Sequence, residues 1–194
     1  MFRNDKLDFI CDTLLVFVKE VNEQAAAIRA YCNVFSDQEC NNVYINRAND
    51  AIWRELLSEI ARIFDSAGEG TNKNCTLLRL KLLCLSEPYS ALFPGGAKDN
   101  LIQSLDDLFV RYNQLPIKKS RRKQLAHHDL KQVIGGECIE ISFEQVENLV
   151  KNTTEVFSKI YTRFSLGVFE ISFPDYKILV ECFERDIKNL LPHL

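Results

Sequence analysis

The segment NDKLDFICDTLLVFVKEVNEQAAAIRAY, residues 4–31, decides the fold class of this chain. Its apolar side chains recur at steps of three and four residues: Leu7, Ile10, Leu14, Phe17, Val18, Val21, Ala25 and Ile28. Residues with that spacing lie on one side of a helix of 3.6 residues per turn and form a single apolar stripe. Because a single stripe has to be covered by neighbouring stripes, the segment predicts a helix packed among other helices.

Further segments along the chain are predicted to be helical. They run from Ile52 to Phe64, Thr76 to Leu85, Leu101 to Tyr112, Ser142 to Phe164 and Pro174 to Leu191. Asp99 is placed to cap the third of these, and Ser142 with Gln145 matches a capping box for the fourth. Residues 168–173 are the only extended piece that we expect. The pattern predicts an all-α fold, an antiparallel bundle of five or six helices with short connections.

The composition is that of one ordinary globular domain. The 194 residues include 24 Lys plus Arg and 27 Asp plus Glu, for a net charge of -3. A protein with a net negative charge does not attract nucleic acid through its overall electrostatic field. An anionic partner would therefore have to bind at a local basic patch. We expect a single domain over residues 1–194, with residues 168–194 forming a C-terminal extension to which the sequence assigns no role.

The sequence carries no signal for a membrane or for a cofactor. The apolar run Phe9 to Val18 contains Asp12 and is shorter than the roughly 18–20 residues that cross a bilayer. Residues 1–8 lack the features of a signal peptide, so we expect a cytoplasmic protein without membrane contact. The seven cysteines form no C-x-x-C pair and are expected to be reduced. The sequence also contains no glycine-rich phosphate-binding loop motif, and we expect neither a cofactor nor a metal.

A basic cluster stands directly before a pair of histidines. It consists of Lys118, Lys119, Arg121, Arg122 and Lys123, followed by His127, His128 and Asp129. Arg and Lys side chains hold phosphates, and an imidazole with a pKa of roughly 6.5 exchanges a proton at neutral pH. These residue types together supply the parts for cleaving a phosphodiester without a metal.

The string RRKQLAHHD, residues 121–129, resembles the R-x4-6-H motif of the HEPN superfamily. Its R-x-K-x-x-A-H-x-D frame is similar to that of abortive-infection HEPN-like proteins, and the resemblance extends over about residues 1–165. It implies that Arg121 and His127 form the catalytic pair, supported by Arg122, His128 and Asp129. Lys118, Lys119 and Lys123 would then bind RNA phosphates.

The resemblance also implies an assembly and an activity. HEPN-like proteins are α-helical homodimers whose two motifs face each other, and many act as metal-independent endoribonucleases in toxin–antitoxin or phage-defence systems. RNA and an antitoxin or nucleotidyltransferase are the partners implied here. Other members are non-catalytic binding or regulatory domains, and this chain has Arg122 where many members carry Asn, Asp or His. A non-catalytic dimeric domain is therefore the alternative function.

Helix geometry leaves the identity of the catalytic histidine open. On a regular helix at roughly 100° per residue, His127 lies about 240° around from Arg121, whereas His128 shares the face of Arg121. Either the helix is irregular, or a two-fold axis brings a second motif opposite the first. A purely structural interpretation, a solvated helix end with Asp129 paired to a lysine, also fits this spacing. A metal site is disfavoured because the adjacent histidines diverge on a helix.

Overall fold

The computed structural model describes residues 5–36, 40, 42–69, 72–87, 89–92, 95–119, 141–164 and 173–191. Within these ranges the chain forms a bundle of six α-helices and one short 3-10 helix at Tyr89–Leu92, and residues 117–119 are also helical. The α-helices are α1 (Asp5–Val34), α2 (Val43–Ile63), α3 (Leu77–Leu85), α4 (Gly96–Gln114), α5 (Phe143–Phe164) and α6 (Tyr176–Leu190). The predicted all-α fold is confirmed. None of the described helices is both long enough and apolar enough to cross a membrane.

Helix α1 is the central element of the bundle, and it packs against α2, α3, α5 and α6. Its predicted stripe is buried except for Phe17, which is only partly buried, and Leu14, Val18 and Ala25 are fully shielded from solvent. The Tyr31 hydroxyl at its end donates to Asn46 Oδ1 near the start of α2, at 2.7 Å. Earlier in α1, the Phe17 ring lies beneath the Arg62 guanidinium at the end of α2. Helices α1 and α2 are therefore antiparallel.

Contacts with α1 also define the directions of α5 and α6. The Tyr161 hydroxyl near the end of α5 donates to Asp12 near the start of α1, so α5 is antiparallel to α1. Helix α6 runs parallel to α1: Ala26 and Ala30 pack against Val180, and Asn33 donates to Glu184 at 2.8 Å. Because both alanines have only a methyl side chain and are fully buried, the two helices can approach closely.

Helix α4 packs antiparallel to α5. The first half of α4, from Ala97 to Ser104, faces the second half of α5, from Ser158 to Arg163. The C-terminal end of α4 and the N-terminal end of α5 consequently lie at the same end of the bundle. Residues 120–140, which include the motif, connect these two ends along the chain.

Two helix starts differ from the sequence prediction. Helix α4 begins at Gly96 rather than after an Asp99 cap, because Gly95, with φ of 57°, turns the chain into the helix earlier. Asp99 lies in the first turn, where its carboxylate interacts favourably with the helix dipole.

At the start of α5, the Ser142 carbonyl accepts the first helical hydrogen bond, from the Val146 amide, as predicted for a cap. Its hydroxyl, however, donates to the Glu144 carboxylate at 2.8 Å, and among the described residues it accepts no hydrogen bond from the Gln145 amide, which a capping box requires.

The extended structure lies at a different place from the one expected. Gly68–Glu69 and Asn72–Lys73 pair as two antiparallel strands of two residues each. Gly68, the first residue of the first strand, has φ of 70°, a conformation that favours glycine. The expectation that residues 168–173 are the only extended piece is therefore wrong. Of those residues only Phe173 lies in the described part, and it is not helical.

Candidate functional site

Most of the predicted site residues lie outside the described part of the chain. They are Arg121, Arg122, Lys123, His127, His128 and Asp129. Their mutual geometry, including the choice between His127 and His128, stays a prediction. The structure does describe the two chain segments that lead into and out of the motif.

The segment that leads into the motif is helical at residues 117–119 and is anchored in the core. Ile117 is fully buried and belongs to the main hydrophobic cluster. Lys118 and Lys119 are both exposed, and Lys118 Nζ lies 5.3 Å from the centroid of the Tyr112 ring. This cation–π contact orients the ammonium without neutralising it. Two of the predicted phosphate-binding cations thus lie at the surface directly before the motif.

The segment that leads out of the motif opens α5, and there a buried carboxylate forms a network that the sequence analysis missed. Glu147 is only 5% exposed. The Arg29 guanidinium donates to both carboxylate oxygens, Nε to Oε1 at 3.1 Å and Nη2 to Oε2 at 2.6 Å. The Tyr176 hydroxyl donates to Oε1 at 2.8 Å, and Lys151 Nζ lies 3.0 Å from the same oxygen. One carboxylate therefore joins α1, α5 and α6.

The electrostatics of this network fix its protonation states. Burial alone would raise the pKa of Glu147, but the hydrogen bonds from Arg29, Tyr176 and Lys151 outweigh it and lower the pKa to about 2. Burial, together with the bond to this carboxylate, raises the pKa of the Tyr176 hydroxyl. Glu147 is consequently ionised and Tyr176 protonated at neutral pH. A group so firmly charged is suited to holding helices in place rather than to exchanging protons.

A weak sequence signal for this network exists. Glu147 follows Val146 and precedes Leu149 in the apolar stripe of α5, so it borders the buried face. Arg29 lies between Ile28 and Ala30 in the same way. Arg29 and Glu147 are, however, 118 residues apart in the sequence, so no local spacing pattern could predict that they pair.

Two hollows, each of about 480 Å³, flank the exposed face of α5. The first, which we name the α4–α5 hollow, is lined by Asn100 and Ser104 of α4 and by Ser158, Lys159 and Arg163 of α5. No carboxylate is found among the described residues that line it. Its surface therefore combines two cations with hydroxyl and amide groups.

The second, the α1–α5 hollow, lies between α1, α5 and the start of α6. Its described lining carries both signs of charge, with apolar walls from Phe173 and Pro174, and the other lining residues are Asn22, Lys151, Thr154, Glu155, Ser158, Lys159 and Tyr176. Ser158 and Lys159 line both hollows, so the two are neighbours on either side of these residues.

Metal-binding and thiol chemistry have no assembled site in the described residues. No three His, Cys, Asp or Glu side chains there are grouped closely enough to hold a metal ion. The six described cysteines carry free thiols, and burial raises the pKa of Cys84 to about 12. A thiol with so high a pKa is a packing group rather than a nucleophile.

Comparison with known proteins identifies the family. The model of the AbiU2 HEPN family matches residues 12–190, which include α6 as well as the motif segment. Neither a curated protein nor a solved structure matches the chain. The match spans nearly the whole sequence, and the described fold is the helical bundle that the motif implied. The chain therefore belongs to the AbiU2 family of HEPN-like abortive-infection proteins.

Proposed function

We propose that this protein is a metal-independent endoribonuclease of the HEPN type, acting in phage defence or as the toxin of a toxin–antitoxin pair. The observation that carries the proposal is the Arg121-x5-His127 string in a chain that belongs to a HEPN family. The exposed Lys118 and Lys119, directly before that string, support it by supplying cations for an RNA backbone.

In the proposed reaction, His127 accepts the proton of a ribose 2′-hydroxyl. The resulting oxygen attacks the adjacent phosphorus, and the bond from phosphorus to the 5′ oxygen breaks. The departing 5′ oxygen takes up a proton from water, and the other product ends in a 2′,3′-cyclic phosphate. Arg121 stabilises the charge that develops on the phosphate, while Arg122 and Lys123 hold the backbone on either side.

The same proposal includes a symmetric homodimer. A regular helix separates Arg121 from His127 by about 240°, so a second motif across a two-fold axis completes the site. Supporting roles go to His128 and Asp129, and His128 is the alternative base because it shares a helix face with Arg121. An antitoxin or nucleotidyltransferase partner would act by covering this cleft.

The alternative is a non-catalytic dimeric domain that binds a protein or nucleotide ligand at the same motif. The observation that favours it is Arg122, which stands where many HEPN proteins carry Asn, Asp or His.

Cleavage of unstructured RNA in the presence of EDTA separates the two functions. We expect wild-type protein to cleave, and His127→Ala to lose activity by about a hundred- to ten-thousand-fold, because general acid–base catalysis contributes that much. His193→Ala, which removes the one histidine outside the motif, is the matched control and should cleave at the wild-type rate.

The variants also report which histidine acts. Loss of activity in His128→Ala with full activity in His127→Ala would assign the base to His128. If wild-type protein left RNA intact while still binding it, the endoribonuclease proposal would fail and the binding domain would replace it.

A further inference from the structure

We draw no further inference here: the strongest candidate, the α4–α5 hollow lined by Lys159 and Arg163, carries nothing because both cations are exposed surface side chains and nothing in the described part of the chain shows what covers it.

Discussion

At the scale of single residues, Glu147 shows how one buried carboxylate organises its surroundings. Its charge is retained because Arg29, Tyr176 and Lys151 all bond to it, and together they lower its pKa to about 2. Sequence spacing predicted the apolar neighbours of Glu147 but not its partners. The partners come from two other helices, and only the fold brings them together.

We expect Glu147→Gln to destabilise the protein at neutral pH. The folded-state pKa lies below the ordinary value of 4.5, so the ionised carboxylate contributes stability above that value and loses it as the pH falls from about 5 toward 2. A shift of this size corresponds to about 3 kcal/mol. Urea unfolding should therefore show a gap of that order between wild type and variant at pH 7, and a gap of roughly half that size or less at pH 3.

The matched control is Glu155→Gln, since Glu155 is 63% exposed and pairs only at the surface of α5. It should change the free energy of unfolding by less than about 1 kcal/mol at either pH. A Glu147→Gln gap that stayed constant down to pH 3 would contradict the assigned ionisation.

Lys118 and Lys119 give a second residue-scale prediction. Each is exposed directly before the motif, and each should contribute to RNA affinity by releasing counterions from the backbone. Lys118→Ala and Lys119→Ala should each weaken binding modestly and reduce the slope of log affinity against log salt by about 0.7. Anisotropy titrations at several salt concentrations measure this, with Lys177→Ala as the control. A slope unchanged in both variants would place the RNA elsewhere.

At the scale of elements, the apolar spacing predicted the long helices and failed at some of their ends. Helix α2 begins at Val43, well before the predicted stripe at Ile52. Its first turns carry no buried stripe: Val43 and Tyr44 are 58% and 76% exposed. The turn forms because the Asn42 side chain accepts hydrogen bonds from the amides of Tyr44 and Ile45. The start of α2 is therefore set by the Asn42 cap and not by the burial of apolar side chains.

The pairing of α6 with α1 depends on small side chains. Ala26 is fully buried against Val180, so Ala26→Leu should force the two helices apart and cost about 1–3 kcal/mol. Ala27, the next residue, is only half-buried, and Ala27→Leu is the matched control. Thermal unfolding compares the two variants. Equal melting temperatures would show that α6 does not need close contact with α1.

At the scale of the whole molecule, the proposed active site requires two copies of the chain. We expect a homodimer, since one regular helix cannot pair Arg121 with His127 and a two-fold axis can. Sedimentation equilibrium at high micromolar concentration should give twice the 22.4 kDa mass of the chain. A monomer at that concentration would contradict the shared cleft.

The all-α architecture followed from the sequence because each long helix carries its own stripe, whereas the short apolar α3 was expected from its position between longer helices. The motif was equally visible, since Arg121 and His127 lie close together in the chain. The Glu147 network and the two hollows were not visible, because each joins residues of α1, α4, α5 and α6 that meet only after folding.

The proposed function requires the protein to cleave RNA with its own side chains, using a ribose 2′-hydroxyl as the nucleophile. The most direct measurement is the chemistry of the RNA ends that wild-type protein leaves in the presence of EDTA. We expect a 2′,3′-cyclic phosphate on one fragment and a 5′-hydroxyl on the other, both absent with His127→Ala and Arg121→Ala. Fragments that end in a 3′-hydroxyl and a 5′-phosphate would contradict the proposed function, because water rather than the 2′-hydroxyl would then have attacked the phosphorus.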